Sequence, residues 1–394
     1  MLLQVGQLLS EAGTRSGSIA YPLLVLAVTG SAAKTGVVSF VRILPAALLA
    51  LPAGVAADRW DRRRLMVAAD AVRVLAVGSL AAAVLLDRVA FWPIALVAFV
   101  EGTGAALFSP AYAGAMRAVV PTRQLPAAAG AQTGRQAAVQ LGGPPLGGVL
   151  FELARALPFG VDAASYACST LSLLAMRTPF QQQREPDRSP LRSRLTEGFR
   201  FLWGHPFLRT CALLFGLGNF LGPGVLFAVV VIGTGQGLSG GRVGVLVAAF
   251  GACLLLGSLL SPLVRRLLPV RVVLLLELWM WPGCAAFLLW PNAYALTAGI
   301  LPTALVIPST DSIVHGYRIA MTPDRLLGRS ESVRRMISLM VAPLGPLIAG
   351  ILLTVSARAT IALFAAVALA LAIWGTLSPS IRAAPTLDEL ADHP

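Results

Sequence analysis

Charge is what this chain has least of. Only 12% of its 394 residues are Asp, Glu, Lys or Arg, about half the share usual in a soluble globular protein. Hydrophobic residues make up 57%, more than one water-excluding core could hide, so lipid is the expected solvent for most of the chain. Histidine is scarce, with His205, His315 and His393 its three positions. There is no HExxH, no phosphate-cradling GxxxxGK[ST], and no soluble stretch left over for a catalytic domain. An enzyme, a cofactor or a metal centre is therefore not expected. Cys168, Cys211, Cys253 and Cys284 each lie inside an apolar run and form no CxxC pair. That spacing excludes a disulfide framework and a thiolate zinc site and suits small buried apolar side chains. Lys34 is the one lysine among 31 basic residues, a bias of GC-rich genomes.

What the chain has is long apolar runs and arginines between them. Its net charge of +13 would suit nucleic acid if the arginines formed a soluble face. They sit at the ends of apolar stretches instead, so membrane topology explains them and no nucleic-acid partner is expected. Charges, prolines and glycine clusters divide the chain into twelve stretches of about 20 residues or more, the length of a membrane-spanning helix. They start at Leu2–Val28, which lacks the basic flank and cleavage site of a signal peptide, and end at Thr360–Leu377. Thr35–Ala57, Phe207–Ile232, Val272–Trp290 and Leu326–Thr354 are each expected to be one helix. Arginines concentrate after even-numbered helices. The loops after odd-numbered ones hold only Lys34, Arg88, Arg155, Arg242 and Arg358. The arginine-rich side is expected to be cytoplasmic, with both termini there.

The two halves repeat. GVAADRWDRR from Gly54 matches GSLLSPLVRR from Gly257, AVVPTRQL from Ala118 matches AMTPDRLL from Ala320, and GPPLGG from Gly143 matches GPLIAG from Gly345, all at nearly one spacing. Two pseudo-symmetric bundles are the expected outcome: residues 1–177 and 206–380, six helices each, with a cytoplasmic linker at 178–205 and a tail at 381–394. Within the linker, Leu191, Leu195, Phe199 and Leu202 share one helical face and arginines the other, the pattern of a helix lying on the membrane surface.

These features resemble the major facilitator superfamily over nearly the whole chain. The most specific piece follows helix 2, where the family pattern G-x-x-x-D-R-x-G-R-R is met by Gly54, Asp58, Arg59, Asp61, Arg62 and Arg63, with Asp61 replacing the second glycine. Gly54 would let a second helix approach closely. Asp58 would meet the positive N-terminal end of a neighbouring helix, helix 11 in the family, beginning here near Leu326. The arginines would hold acids and lipid phosphates at the cytoplasmic face. The resemblance thus implies a cytoplasmic gate that latches in one state and opens in another. In the second half, Ser261 stands in place of the acid. Gly143, Pro144, Gly147 and Gly148 are similar to an element of family exporters in helix 5, and equally suit close helix packing. Helix 4 reads VAFVEGTGAALF, with Ala98 where drug-exporting members often carry an arginine. The stretches GQLLSEAG, VRILPA and EGFRFLWGHPFLR look most like the drug:proton antiporter branch that includes macrolide and siderophore exporters. Those relatives commonly carry Asp where this chain has Thr14.

Ionisable groups at membrane depth are functional suspects, and the family fold implies that helices 1, 4, 7 and 10 line a central cavity. Glu101 has no cation at helical spacing, and burial in low dielectric favours its neutral form, which suits reversible protonation. Asp311 and Glu11 are the other proton-coupling candidates. Glu11 and Arg15 are four apart and can pair on one face; Asp311 and His315 are four apart in helix 10, with Arg318 next. Arg15, Arg42, Asn219, Phe220 and His315 are candidates for the substrate cavity, and Arg42 has Glu11 and Glu101 as candidate partners. Gln132, Arg135, Gln136 and Gln140 form a polar face expected to serve inter-domain packing rather than binding. Asp70 with Arg73, Asp162 and Glu277 are expected to be structural.

The expected fold is an all-α membrane protein with twelve transmembrane helices in two six-helix bundles. The expected function is proton-coupled efflux of small amphipathic or hydrophobic compounds by alternating access, from a monomer in a bacterial inner membrane, with substrate, protons and membrane lipid as partners. A metabolite uptake symporter and a non-transporting receptor or scaffold are the alternatives.

Overall fold

The computed structural model describes residues 2–50, 52–119, 125–176, 180 and 191–383. Among them every regular element is helical. The first half comprises α1 (Leu2–Thr29), α2 (Ala32–Leu48), α3 (Pro52–Arg59), α4 (Arg62–Leu85), α5 (Phe91–Val119), α6 (Leu125–Leu153) and α7 (Leu157–Ala175). The second comprises α8 (Leu191–Gly204), α9 (Pro206–Gly218), α10 (Leu221–Gly235), α11 (Gly240–Leu267) and α12 (Val270–Met280). A 3-10 turn at Trp281–Ala285 leads to α13 (Ala286–Leu289), α14 (Ala293–Met321), α15 (Asp324–Val341), α16 (Leu344–Leu353), α17 (Ala357–Leu377) and α18 (Pro379–Arg382). Residues 120–124 of the second repeat match, most of the linker before 191, and the tail from 384 lie outside the described residues.

Helices occupy all twelve expected stretches, but four are interrupted. Thr35–Ala57 divides into α2 and α3, after Pro45 and before Pro52, which has no N–H to continue the ladder. Phe207–Ile232 breaks at Asn219, whose amide donates to Phe215 O (3.0 Å) and competes with the helix. Val272–Trp290 passes through the 3-10 turn next to Pro282, and Leu326–Thr354 breaks at Pro343. Among the described residues, eight helical spans are long and apolar enough to cross a membrane, or nine when α2 and α3 count as one bent span. α1, α6 and α7 are not among them. The spans also expose large apolar side chains, such as Leu75, Leu96 and Leu259, as lipid solvation requires.

The chain forms two compact units, Met1–Asp187 with Val230–Ala248, and Arg188–Val229 with Ala249–Pro394. In the first, α1 packs on α6 and α7, α4 on α5 and α7, and α2 on α5. Its core centres on Tyr21, Val77, Ile94, Ala98, Phe159 and Tyr166, with Tyr21 and Phe159 edge-to-face at 5.1 Å. Val230–Ala248 groups here because the start of α11 lies on α6. A Cβ on Gly148 would stand 2.0 Å from Gly240 O, and one on Gly244 2.5 Å from Pro144 O. Glu152 accepts from Gly241 N at 2.6 Å, a carboxylate on the N-terminal turn of α11. In the second unit, α15 packs on α8 and α9, and α12, α14 and α17 surround the 3-10 turn. There α8 lies with Leu202 buried and Phe199 exposed; Leu191 and Leu195 have side chains outside the described residues.

Candidate functional site

The first unit gathers its buried charges where α1, α2, α5 and α7 meet. Arg42 of α2 binds both oxygens of Glu101 on α5, with Nη2 2.7 Å from Oε1 and Nε 3.0 Å from Oε2. The pair is bidentate, the strong geometry for guanidinium and carboxylate. The Glu101 side chain is 2% exposed and Arg42 17%. Arg42 also donates to Thr14 O (3.2 Å) and lies over the Tyr21 ring (5.1 Å). Tyr166 Oη of α7 stands 2.8 Å from Thr14 Oγ1 and 3.4 Å from Glu101 Oε1. Thr14 Oγ1 also stands 2.9 Å from Ser10 O; either hydroxyl can be the donor in the Thr14–Tyr166 bond, and Tyr166 donates to Glu101. Thr14 and Tyr166 thus tie α1 and α7 to the ion pair.

The glycines of helix 4 explain why the arginines fit. A Cβ at Gly102 would stand 2.1 Å from Arg42 O, and one at Gly104 2.6 Å from Arg73 Nε. Arg73 pairs with Asp70 at 3.3 Å and stacks between Phe108 (5.3 Å) and Tyr166 (4.8 Å). Asp70 accepts from Ser169 at 2.6 Å. These buried groups join the same polar layer through Tyr166.

The expected Glu11–Arg15 pair is not formed. Glu11 binds Arg135 of α6, at 2.9 Å and 3.1 Å to its two oxygens, and Arg135 lies over Tyr112 at 5.8 Å. The two-point fork from a facing helix outcompetes a single contact along α1, and Arg15 is left exposed. The polar face of helix 5 therefore has an electrostatic role at Arg135 within its own unit.

The helix 5 motif sits on α1. A Cβ at Gly143 would stand 2.5 Å from Arg15 Cβ, and one at Gly147 2.2 Å from Ser16 O. Pro144 is buried in this contact. Gly54 behaves differently: among the described residues an added Cβ there would meet no atom within 4 Å, so the close approach expected of it is not seen among them.

In the loop after helix 2, Asp58 and Arg62 pair along the chain at 3.4 Å. Arg62 also donates to Ala57 O (3.1 Å), and Arg59 is exposed on the last turn of α3. Arg63 donates to the carbonyls of Leu173 (2.9 Å) and Leu174, which capping leaves free at the end of α7. Asp61 takes over from the family glycine by capping α4: at φ −59° it accepts from Arg64 N at 2.8 Å. No left-handed backbone is needed there. Asp61→Ala is expected to cost about 1 kcal/mol, and Asp61→Gly only a few tenths; thermal unfolding of the two variants in detergent measures the difference.

In the second unit, Arg318 binds His315 and Glu331, and Glu331 binds Arg334 at 2.8 Å. Asp311 is exposed and makes no ion pair among the described residues. Phe220 stacks on Phe364 at 4.7 Å, held by Gly345, whose Cβ would stand 2.3 Å from Phe220 O. Asn219 is the exposed cap of α9. Glu331, Thr14 and Tyr166 escaped the residue-by-residue reading. Thr14 had its signal in standing where relatives carry Asp; Tyr166, an aromatic in an apolar run, had none.

The sequence model of the Major Facilitator Superfamily matches residues 4–314. A relative named multidrug efflux pump Tap, from Mycolicibacterium fortuitum, is 28% identical over 379 residues, covering 89% of this chain and 88% of its own. Macrolide efflux protein A from Streptococcus pyogenes is 28% identical over 149 residues, 37% of each chain. Among solved structures, the nucleoside transporter NupG superposes with a TM-score of 0.73 at 12% identity, over 98% of this chain and 99% of that one. A bacterial homologue of the iron transporter ferroportin, in its inward-facing state, does so with a TM-score of 0.69 at 16% identity, over 94% and 98%. At such identities the superpositions carry the fold alone.

Proposed function

Because the chain belongs to the Major Facilitator Superfamily, we propose that it is a secondary active exporter. It moves small amphipathic or hydrophobic compounds out of a bacterial cell in exchange for protons. It is a multi-pass membrane transporter rather than an enzyme, and works as a monomer in the inner membrane with both termini cytoplasmic. The names of the multidrug and macrolide efflux relatives support the substrate class. The observation that carries the mechanism is the buried Arg42–Glu101 pair with Tyr166 and Thr14 around it. Charges at membrane depth are retained for function, and this pair joins α2 to α5 and is contacted from α1 and α7 as well. A cationic or amphipathic substrate and a proton would bias the same cluster.

Residues 1–177 and 206–380 would rock as two bundles. Asp58 and the arginines beside it would latch the cytoplasmic gate against the helix beginning near Leu326. Glu11, already bound to Arg135, would steady helix 1; Asp311, His315 and Asn219 would face the path from the second half.

Cells expressing the wild type are expected to accumulate less of a hydrophobic fluorescent dye or macrolide than vector controls, and a protonophore is expected to erase the difference. Accumulation raised above the control would favour an uptake symporter. No difference across a broad panel, with protein verified in the membrane, would favour a non-transporting receptor.

A further inference from the structure

A second buried carboxylate lies beside the Arg42–Glu101 pair and takes no part in it. Asp162 of α7 is 0% exposed, and among the described residues no group meets hydrogen-bond geometry at either of its oxygens, with the Tyr166 hydroxyl close by as a donor. It stands one turn before Tyr166 and faces α1 at two glycines. A Cβ at Gly13 would come within 2.6 Å of Oδ1, and one at Gly17 within 3.4 Å of Oδ2. Any larger residue at position 13 would fill the space the carboxyl occupies.

The charged and titratable groups facing Asp162 are Glu101 of α5, Arg42 of α2, Arg73 of α4, Tyr21 of α1 and Tyr166 of its own helix. Both arginines are engaged elsewhere, Arg42 with Glu101 at 2.7 Å and Arg73 with Asp70 at 3.3 Å. A carboxylate ion with no cation of its own and only a neutral hydroxyl beside it is not tolerated in such a core, whereas the neutral acid is. Arg42 is nevertheless close: its Nη2 lies 4.0 Å from the Gly17 Cβ position that Asp162 Oδ2 also flanks.

We propose that Asp162 is the proton-carrying residue of the transport cycle, with Glu101 serving as the fixed counter-ion of Arg42. This rests on the proton-coupled reading above. In this reading Asp162 is neutral, carrying one proton, while Arg42 is held by Glu101. During the cycle its O–H bond breaks, the proton passes to water on the side then open, and the carboxylate keeps the electron pair. Arg42, shared between Glu101 and Asp162, compensates the new charge. On reprotonation Arg42 returns wholly to Glu101.

Two measurements on the purified full-length protein test this. In infrared difference spectra between acid and alkaline pH, the wild type is expected to show a carboxylic-acid C=O band that Asp162→Asn lacks. In proteoliposomes, Asp162→Asn is expected to keep dye counterflow within about twofold of wild type while losing at least about tenfold of pH-gradient-driven transport. Asparagine matches the neutral acid in shape, so the variant is expected to fold. A variant that fails to fold, keeps gradient-driven transport, or leaves the infrared band unchanged overturns the proposal. A wild type that transports no compound would overturn the exporter reading instead, and the infrared band would still report on Asp162.

Discussion

Glu101→Gln is expected to destabilise the protein by about 3 kcal/mol and to abolish efflux. Breaking a buried ion pair by removing one partner costs about 3–5 kcal/mol, because the other charge stays buried alone. The lower end applies here because Arg42 keeps 17% of its side chain exposed. Arg42 would retain Thr14 O and the Tyr21 ring, neither of which neutralises it, and ionising Asp162 in place of Glu101 would itself bury a carboxylate that lacks the two-point hydrogen bonding of the lost pair. Arg42→Gln together with Glu101→Gln is expected to recover most of the lost stability, since both charges are gone, yet to recover no transport. The expected coupling in a double-mutant cycle is at least about 2 kcal/mol, larger by whatever Arg42→Gln costs alone. Thermal unfolding in detergent, beside dye efflux from cells, reads both quantities. Additive losses in the double variant would mean that the two side chains do not act as a pair.

Valine at Gly147 or Gly148 is the second large effect. Their Cβ positions lie 2.2 Å from Ser16 O and 2.0 Å from Gly240 O. Those atoms belong to backbone, which cannot rotate aside, so α6 would have to move off α1 or α11. Overpacking of this kind costs about 1–3 kcal/mol, occasionally more. A further loss of transport is expected wherever the helices must slide past one another. Gly54→Ala is the contrasting case, with no atom of the described residues within 4 Å of the new methyl. It should gain about 0.5–1 kcal/mol from helix propensity. If Gly54→Ala keeps stability but loses transport, the glycine serves a state other than this one. Melting temperature and efflux for the three variants separate these outcomes.

The positions of the helices were legible because a span of lipid demands a run of apolar residues, and charges mark its ends. The interruptions at Asn219 and Pro343 were not, since a polar side chain or a proline inside an apolar run is tolerated as often as it breaks the helix. Local pairs followed helical spacing: Asp58 with Arg62 and Asp70 with Arg73 are i,i+4 and i,i+3. The same rule pointed to Arg15 for Glu11 and missed Arg135, 124 residues away. Sequence spacing describes one helix and is silent about which helices face each other. Arg42 could be suspected of serving Glu101 because both were isolated charges, but only packing decides between Glu101 and Glu11. Asp162 was read as structural from its place on helix 6. Its burial against Gly13 and the engagement of the nearby arginines with other acids are tertiary facts.

The decisive measurement is proton movement during transport by the purified wild type in proteoliposomes carrying a trapped pH-sensitive dye. A hydrophobic dye or macrolide would be added down its own gradient, with no pH gradient imposed. Protons moving opposite to the substrate, and abolished by Glu101→Gln, is the result this account predicts. Protons moving with the substrate, or substrate moving with no proton flux at all, would contradict it.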